Sequence, residues 1–125
     1  MAIVVNDSAQ QSFIRAPIDS SPRGFGEISG STLLAAVVYR GTTVLPGQFG
    51  KKYVDWADKV RKTLGRKDKA GKAHVDGQGN VTPAVNPLDW HSTVPFTTGS
   101  PEGNSFTVML YAAWRDCLLA NKCTN

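Results

Sequence analysis

The last quarter of the chain constrains the fold most. Phe106, Met109, Leu110, Ala113, Trp114, Cys117 and Leu118 recur at i, i+3, i+4, i+7 and i+8, the spacing of one face of a helix. Ser100-Pro101-Glu102 supplies the matching start: an N-cap hydroxyl, a proline where the backbone N–H is unused anyway, and an acid in the first turn. An amphipathic helix over residues 100–120 follows. A stripe carrying Trp, Phe, Leu and Met is too apolar to face water, so the rest of the fold must offer it a surface.

A chain of 125 residues is one domain in size, long enough for a single core. The longest apolar run, Leu33 to Tyr39, falls far short of the ~20 residues that span a membrane. The N-terminus MAIVVNDSAQQ has neither a basic n-region nor a long apolar stretch, so no secretory signal is visible. The expectation is a soluble, unexported protein.

Upstream of the helix the pattern favours strands. Residues 1–18 read as a terminal hairpin, with an apolar Ile3-Val4-Val5 run and the turn-prone Asn6-Asp7-Ser8. A short strand is expected around Phe25 to Ser29. Leu33 to Val44 is rich in β-branched and aromatic residues, ends at Pro46-Gly47, and reads as the clearest strand. Leu88 to Thr97 alternates apolar and polar residues, with Pro95 marking an edge. Residues 65–87 hold Gly, Lys, Asp, Asn and Pro but few large apolar side chains; they read as a long exposed loop with a small hairpin at Gly77 to Asn80. Lys51 to Leu64 is ambiguous. Tyr53, Trp56, Ala57, Val60 and Leu64 share a helical face, although Val54, Trp56, Val60 and Leu64 also share one side of a strand. The plan is α+β: a main antiparallel sheet over residues 23–97, then one helix.

Charge is concentrated in one block. Residues 51–72 carry nine Lys or Arg against three Asp, whereas the rest of the chain carries five basic and seven acidic residues. Such a block attracts polyanions by counterion release, or simply solvates a surface. Cys117 and Cys123 lie six apart, on different faces of any helix that carries both, and read as free thiols; an intermolecular bridge stays open. With His74 and His91 standing alone, no metal-ligand spacing occurs. No phosphate loop, zinc-protease motif or nucleophile elbow is present, so neither an enzyme nor a cofactor is expected.

Taken in order, these elements resemble the coat proteins of single-stranded RNA bacteriophages, the levivirus type. The resemblance rests on Arg23-Gly24-Phe25-Gly26-Glu27-Ile28-Ser29 as the strand after a terminal hairpin and on Lys51-Lys52-Tyr53-Val54 as a basic strand opening. It rests also on Ser92-Thr93-Val94-Pro95-Phe96 running into the helix. It departs where 51–64 has helical periodicity and where the second C-terminal helix is shortened or absent.

The resemblance implies a capsid protein of a virion assembled in the bacterial cytoplasm. Subunits pair into a homodimer, each helix crossing the partner's sheet through Phe106, Met109, Leu110, Ala113, Trp114 and Leu118. Dimers build an icosahedral shell through the long loop, and the inner sheet face meets genomic RNA through Arg40, Lys52, Tyr53, Lys59, Arg61, His91 and Thr93. There Arg and Lys would hold phosphates and Tyr53 would stack on a base. Alternatives are a small basic nucleic-acid-binding protein that builds no shell, and a phage head or tail component.

Overall fold

In the computed structural model, residues 14–16, 25–89 and 92–124 are described. The elements are β1 (Ile14–Ala16), β2 (Phe25–Glu27), α1 (Ile28–Val44), α2 (Lys51–Leu64) and α3 (Pro101–Leu119). Among the described residues the only sheet is β1 paired antiparallel with β2, three residues each, with Arg15 opposite Gly26. The expected antiparallel α+β fold is therefore overturned: helices dominate, and no sheet extends over residues 23–97. Beyond Ile14–Ala16, the N-terminal hairpin lies outside the described residues.

The largest correction is Leu33 to Val44, which is helix rather than strand. Its composition favours a half-buried β surface, yet local chemistry supports a helix. The Glu27 carboxylate accepts hydrogen bonds from the Ser29 and Gly30 amides and from the Ser29 hydroxyl, so a buried acid caps the exposed donors of the first turn. At the other end the Thr42 and Thr43 hydroxyls donate to the carbonyls of Val38 and Tyr39, both at 2.9 Å, which satisfies β-branched residues inside the helix. Leu45 closes the last turn on the Gly41 carbonyl, just before Pro46. Gly41 is required for packing: a Cβ there would stand 2.6 Å from the Phe49 ring.

For Lys51 to Leu64 the helical periodicity prevails. Ala57, Val60 and Leu64 are buried, and Arg61 and Lys62 place positive charge at the negative end of the helix dipole. The C-terminal helix forms where its signals stand: the Ser100 hydroxyl accepts from the Gly103 amide at 3.0 Å, Pro101 opens the first turn, and Glu102 follows. Helix α1 packs against both α2 and α3, and Tyr39, Ile28, Leu64, Leu110, Val60 and Cys117 form the center of the core.

Between α2 and α3 the chain makes two capped turns. Asp68 accepts from the amides of Ala70 and Lys72, and Asp76 from those of Gln78 and Asn80, with Gly71 and Gly79 at φ of 82° and 81°. The amides aimed at Asp76, that of Asn80 foremost, hold its carboxyl below the usual carboxylate range. Pairing of Val75 with Val81 across the second turn is the small hairpin expected at Gly77 to Asn80.

The segment is less exposed than its composition suggests. His74, Val81, Thr82 and Ala84 are buried, and two hydrogen bonds strap it to the start of α1: Ile28 N–H donates to the Pro83 carbonyl at 3.0 Å, and Val85 N–H donates to the capping Glu27 carboxylate at 3.2 Å. Asn104 of α3 accepts from the Val81 amide at 3.0 Å. The strand expected over Leu88 to Thr97 is replaced by turns, with one isolated bridge from Phe96 to Ala84. Trp90 and His91 lie outside the described residues.

The cysteines are a further correction. Cys117 and Cys123 form an intrachain disulfide, with their Cα atoms 5.3 Å apart. Helix α3 ends at Leu119, and Asn121 in the left-handed region, φ 55°, turns the chain back before the second cysteine.

Candidate nucleic-acid interface

Helix α2 is two-sided. Its apolar face lies on α1, and the opposite side shows Lys52, Lys59 and Lys62 at i, i+7 and i+10, with Arg66 continuing the line past the helix end. All four are exposed. At a rise of about 1.5 Å per residue, Lys52 to Lys62 spans about 15 Å. Lys67, Lys69 and Lys72 extend the positive surface onto the turn capped by Asp68, where all three are exposed. Neutralisation on this side is slight. Lys51 pairs with Asp55 at 2.7 Å, one helical turn away and largely in solvent. Tyr53 is 40% exposed, and the Lys52 ammonium lies 4.9 Å from its ring centroid. A cationic surface with an accessible aromatic ring can hold phosphates and stack a base.

The residues named for RNA from the resemblance do not share one surface. Lys52, Tyr53 and Lys59 lie on α2 within the basic region. Arg40 projects from α1 and pairs with Asp116 of α3 at 3.3 Å, both partly exposed. Thr93 is exposed in the turn-rich segment, and His91 lies outside the described residues. Arg61 is engaged inside the molecule. Its guanidinium lies 4.0 Å from the Trp114 ring centroid, donates to the Tyr39 hydroxyl at 3.3 Å, and pairs with Asp58 at 3.4 Å. Tyr39 in turn donates to Asp58 at 2.5 Å, so one cluster joins all three helices. Lys62, Arg66, Lys67, Lys69 and Lys72 complete the surface. Nothing in the sequence singled them out individually, but helical indexing from the buried Ala57, Val60 and Leu64 identifies Lys62 as lying opposite the core.

The stripe assigned to a dimer is divided. Leu110 is fully buried on the chain's own core, Ala113 and Trp114 pack against that core, and Phe106 and Leu118 are half-buried. Met109 is 50% exposed, at an open groove between α1 and α3 lined also by Leu33, Ala36, Val37 and Ala112.

Tyr39 has a measurable signature. Burial, and secondly the Asp58 carboxylate, push its ionisation far above the usual range. An unfolded chain loses this proton near pH 10, whereas the folded chain keeps it. The stabilisation is therefore complete below pH 10 and is lost as pH rises beyond it. In urea titrations from pH 8 to 11 the parent should lose stability more steeply than Tyr39→Phe. Parallel curves would mean the phenol ionises freely in the fold.

Comparison with models of protein families, with curated proteins and with solved structures finds no match. Among the described residues no group of three or more His, Cys, Asp and Glu could hold a metal ion, and no helix is long and apolar enough to cross a membrane.

Proposed function

We propose that the chain is a helical module that binds single-stranded nucleic acid, RNA in the first instance, through the outer face of α2 and the turn that follows it. The observation that carries this reading is the line Lys52, Lys59, Lys62 and Arg66, opposite the buried side of α2 and continuous with Lys67, Lys69 and Lys72. Lysines on a helix bind phosphates as mobile point charges, which suits backbone contact without sequence reading. Tyr53 at the start of the line supplies a stacking ring.

Shell assembly is a separate matter. It rested on a sheet shared between subunits, and the helical fold takes away that support. The exposed apolar residues Val37, Met109 and Val108 are what still favours association between copies.

Binding of a labelled single-stranded RNA, followed by anisotropy between 50 and 200 mM salt, tests the proposal. Each lost phosphate contact lowers the salt slope by about 0.7, so Lys52→Ala, Lys59→Ala and Lys62→Ala combined should flatten it by about 2. Arg40→Ala should leave the slope as it is. An unchanged slope in the triple variant would overturn the α2 interface, and a lowered one in Arg40→Ala would move phosphate contact to the α1–α3 side of the molecule. Sizing the same sample by absorbance at 260 and 280 nm separates a small complex from a megadalton, RNA-filled shell.

A further inference from the structure

We infer that Cys117 and Cys123 are a structural cystine built into the C-terminal cap of α3, and that the chain is made to fold in an oxidising compartment. The inference is independent of the nucleic-acid reading.

The backbone arranges the pair without help from the sulfurs. Lys122 N–H donates to the Cys117 carbonyl at 3.0 Å and Asn121 N–H to the Leu118 carbonyl at 2.9 Å, the paired bonds of a Schellman cap, with Asn121 taking its left-handed position. In that motif the chain after the cap returns over the last helical turn. Here it brings Cys123 back beside Cys117, and the 5.3 Å between Cα atoms lies within the range that disulfides use. The same turn would form in the reduced chain, holding the two thiols within bonding reach.

Formation is a two-electron oxidation. One cysteine thiolate attacks a disulfide donor and releases one of its thiols. The second thiolate then displaces the donor's other sulfur, leaving the cystine, a reduced donor and two protons lost from the protein. Reversal is disfavoured by burial. Cys117 is fully enclosed in the core and Cys123 is partly accessible, so an external thiol reaches Cys123 first. Cys117 must then leave as a thiolate inside apolar surroundings, where its charge is poorly solvated. Both cysteines of the chain are used, which suits an environment where a free thiol would be a liability. This runs against the unexported expectation drawn from the N-terminus.

The full chain, expressed in the bacterial cytoplasm and in parallel by export to the periplasm, is unfolded without reductant, treated with a maleimide and weighed intact. Exported protein should carry no label, and should stay unlabelled after equilibration in glutathione at the ratio of a secretory compartment. Its Tm should exceed those of the reduced parent and of Cys117→Ala/Cys123→Ala by about 5–10 °C. Labelling at both sulfurs after equilibration overturns the inference, as does a reduced parent that melts with the oxidised one. If the double variant does not fold, labelling and melting of the parent decide alone.

Discussion

Truncating Leu110 to alanine will destabilise the monomer by about 2–5 kcal/mol, while Met109→Ala, one residue away on the same stripe, will cost under about 1 kcal/mol. Leu110 is fully buried where α3 meets α1, and removing its branched end leaves a cavity that surrounding helices fill only partly. Met109 is 50% exposed and has less to lose. Urea unfolding at two protein concentrations is the measurement. Midpoints independent of concentration, with the Leu110 variant far below the Met109 variant, identify a stripe consumed within one chain. Equal losses that shrink as protein concentration rises would return the stripe to an interface between copies.

Asp58→Ala is expected to cost about 3 kcal/mol, more than its modest ion pair would suggest. The Arg61 side chain is only 12% exposed and would lose its counter-ion, and the Tyr39 hydroxyl would lose its acceptor in the same step. Most of the loss is the penalty of a poorly solvated, unpaired charge. Adding Arg61→Met, which removes that charge and keeps apolar bulk against Trp114, should recover more than half of it. If the double variant is no more stable than Asp58→Ala, the cost lies in the Tyr39 contact rather than in Arg61.

The error over α1 has a specific origin. Leu33 to Val44 carries residues that fill a pleated surface well, and an apolar segment of this kind shows no polar face from which to read a period. What decides for helix lies outside the segment itself: the Glu27 carboxylate that caps the first turn, the Phe49 ring against Gly41, and the Leu110 face of α3 beyond. The cap is local but is a buried glutamate rather than one of the usual capping residues, and the Leu110 face is out of reach of any short window. Once α1 is a helix, the sheet that the coat resemblance implied has no central strand, and Leu88 to Thr97 has no ladder to join. The cysteines were misplaced for a related reason. Six residues separate two faces only while the helix continues, and Asn121 stops it.

The same cause separates the residues that the coat resemblance placed on one sheet face. Helical geometry sends Arg40 to Asp116, turns Arg61 inward onto Trp114, and leaves Lys59 beside Lys52 and Lys62. The sequence by itself determined the features that depend on near neighbours. These are the Ser100-Pro101-Glu102 start of α3 and its apolar stripe, the turn at Gly77 to Asn80, and the concentration of positive charge in residues 51–72, while for α2 the spacing offered a helix beside a strand. Each follows from side chains within about one helical turn of one another, where spacing and capping chemistry act directly. Tertiary structure decided the partner that covers the stripe and which cations remain in solvent, and it joined the local Glu27 cap in deciding the state of α1. Those outcomes depend on burial against distant segments, and the free energy of burial outweighs local propensities of well under 1 kcal/mol per residue.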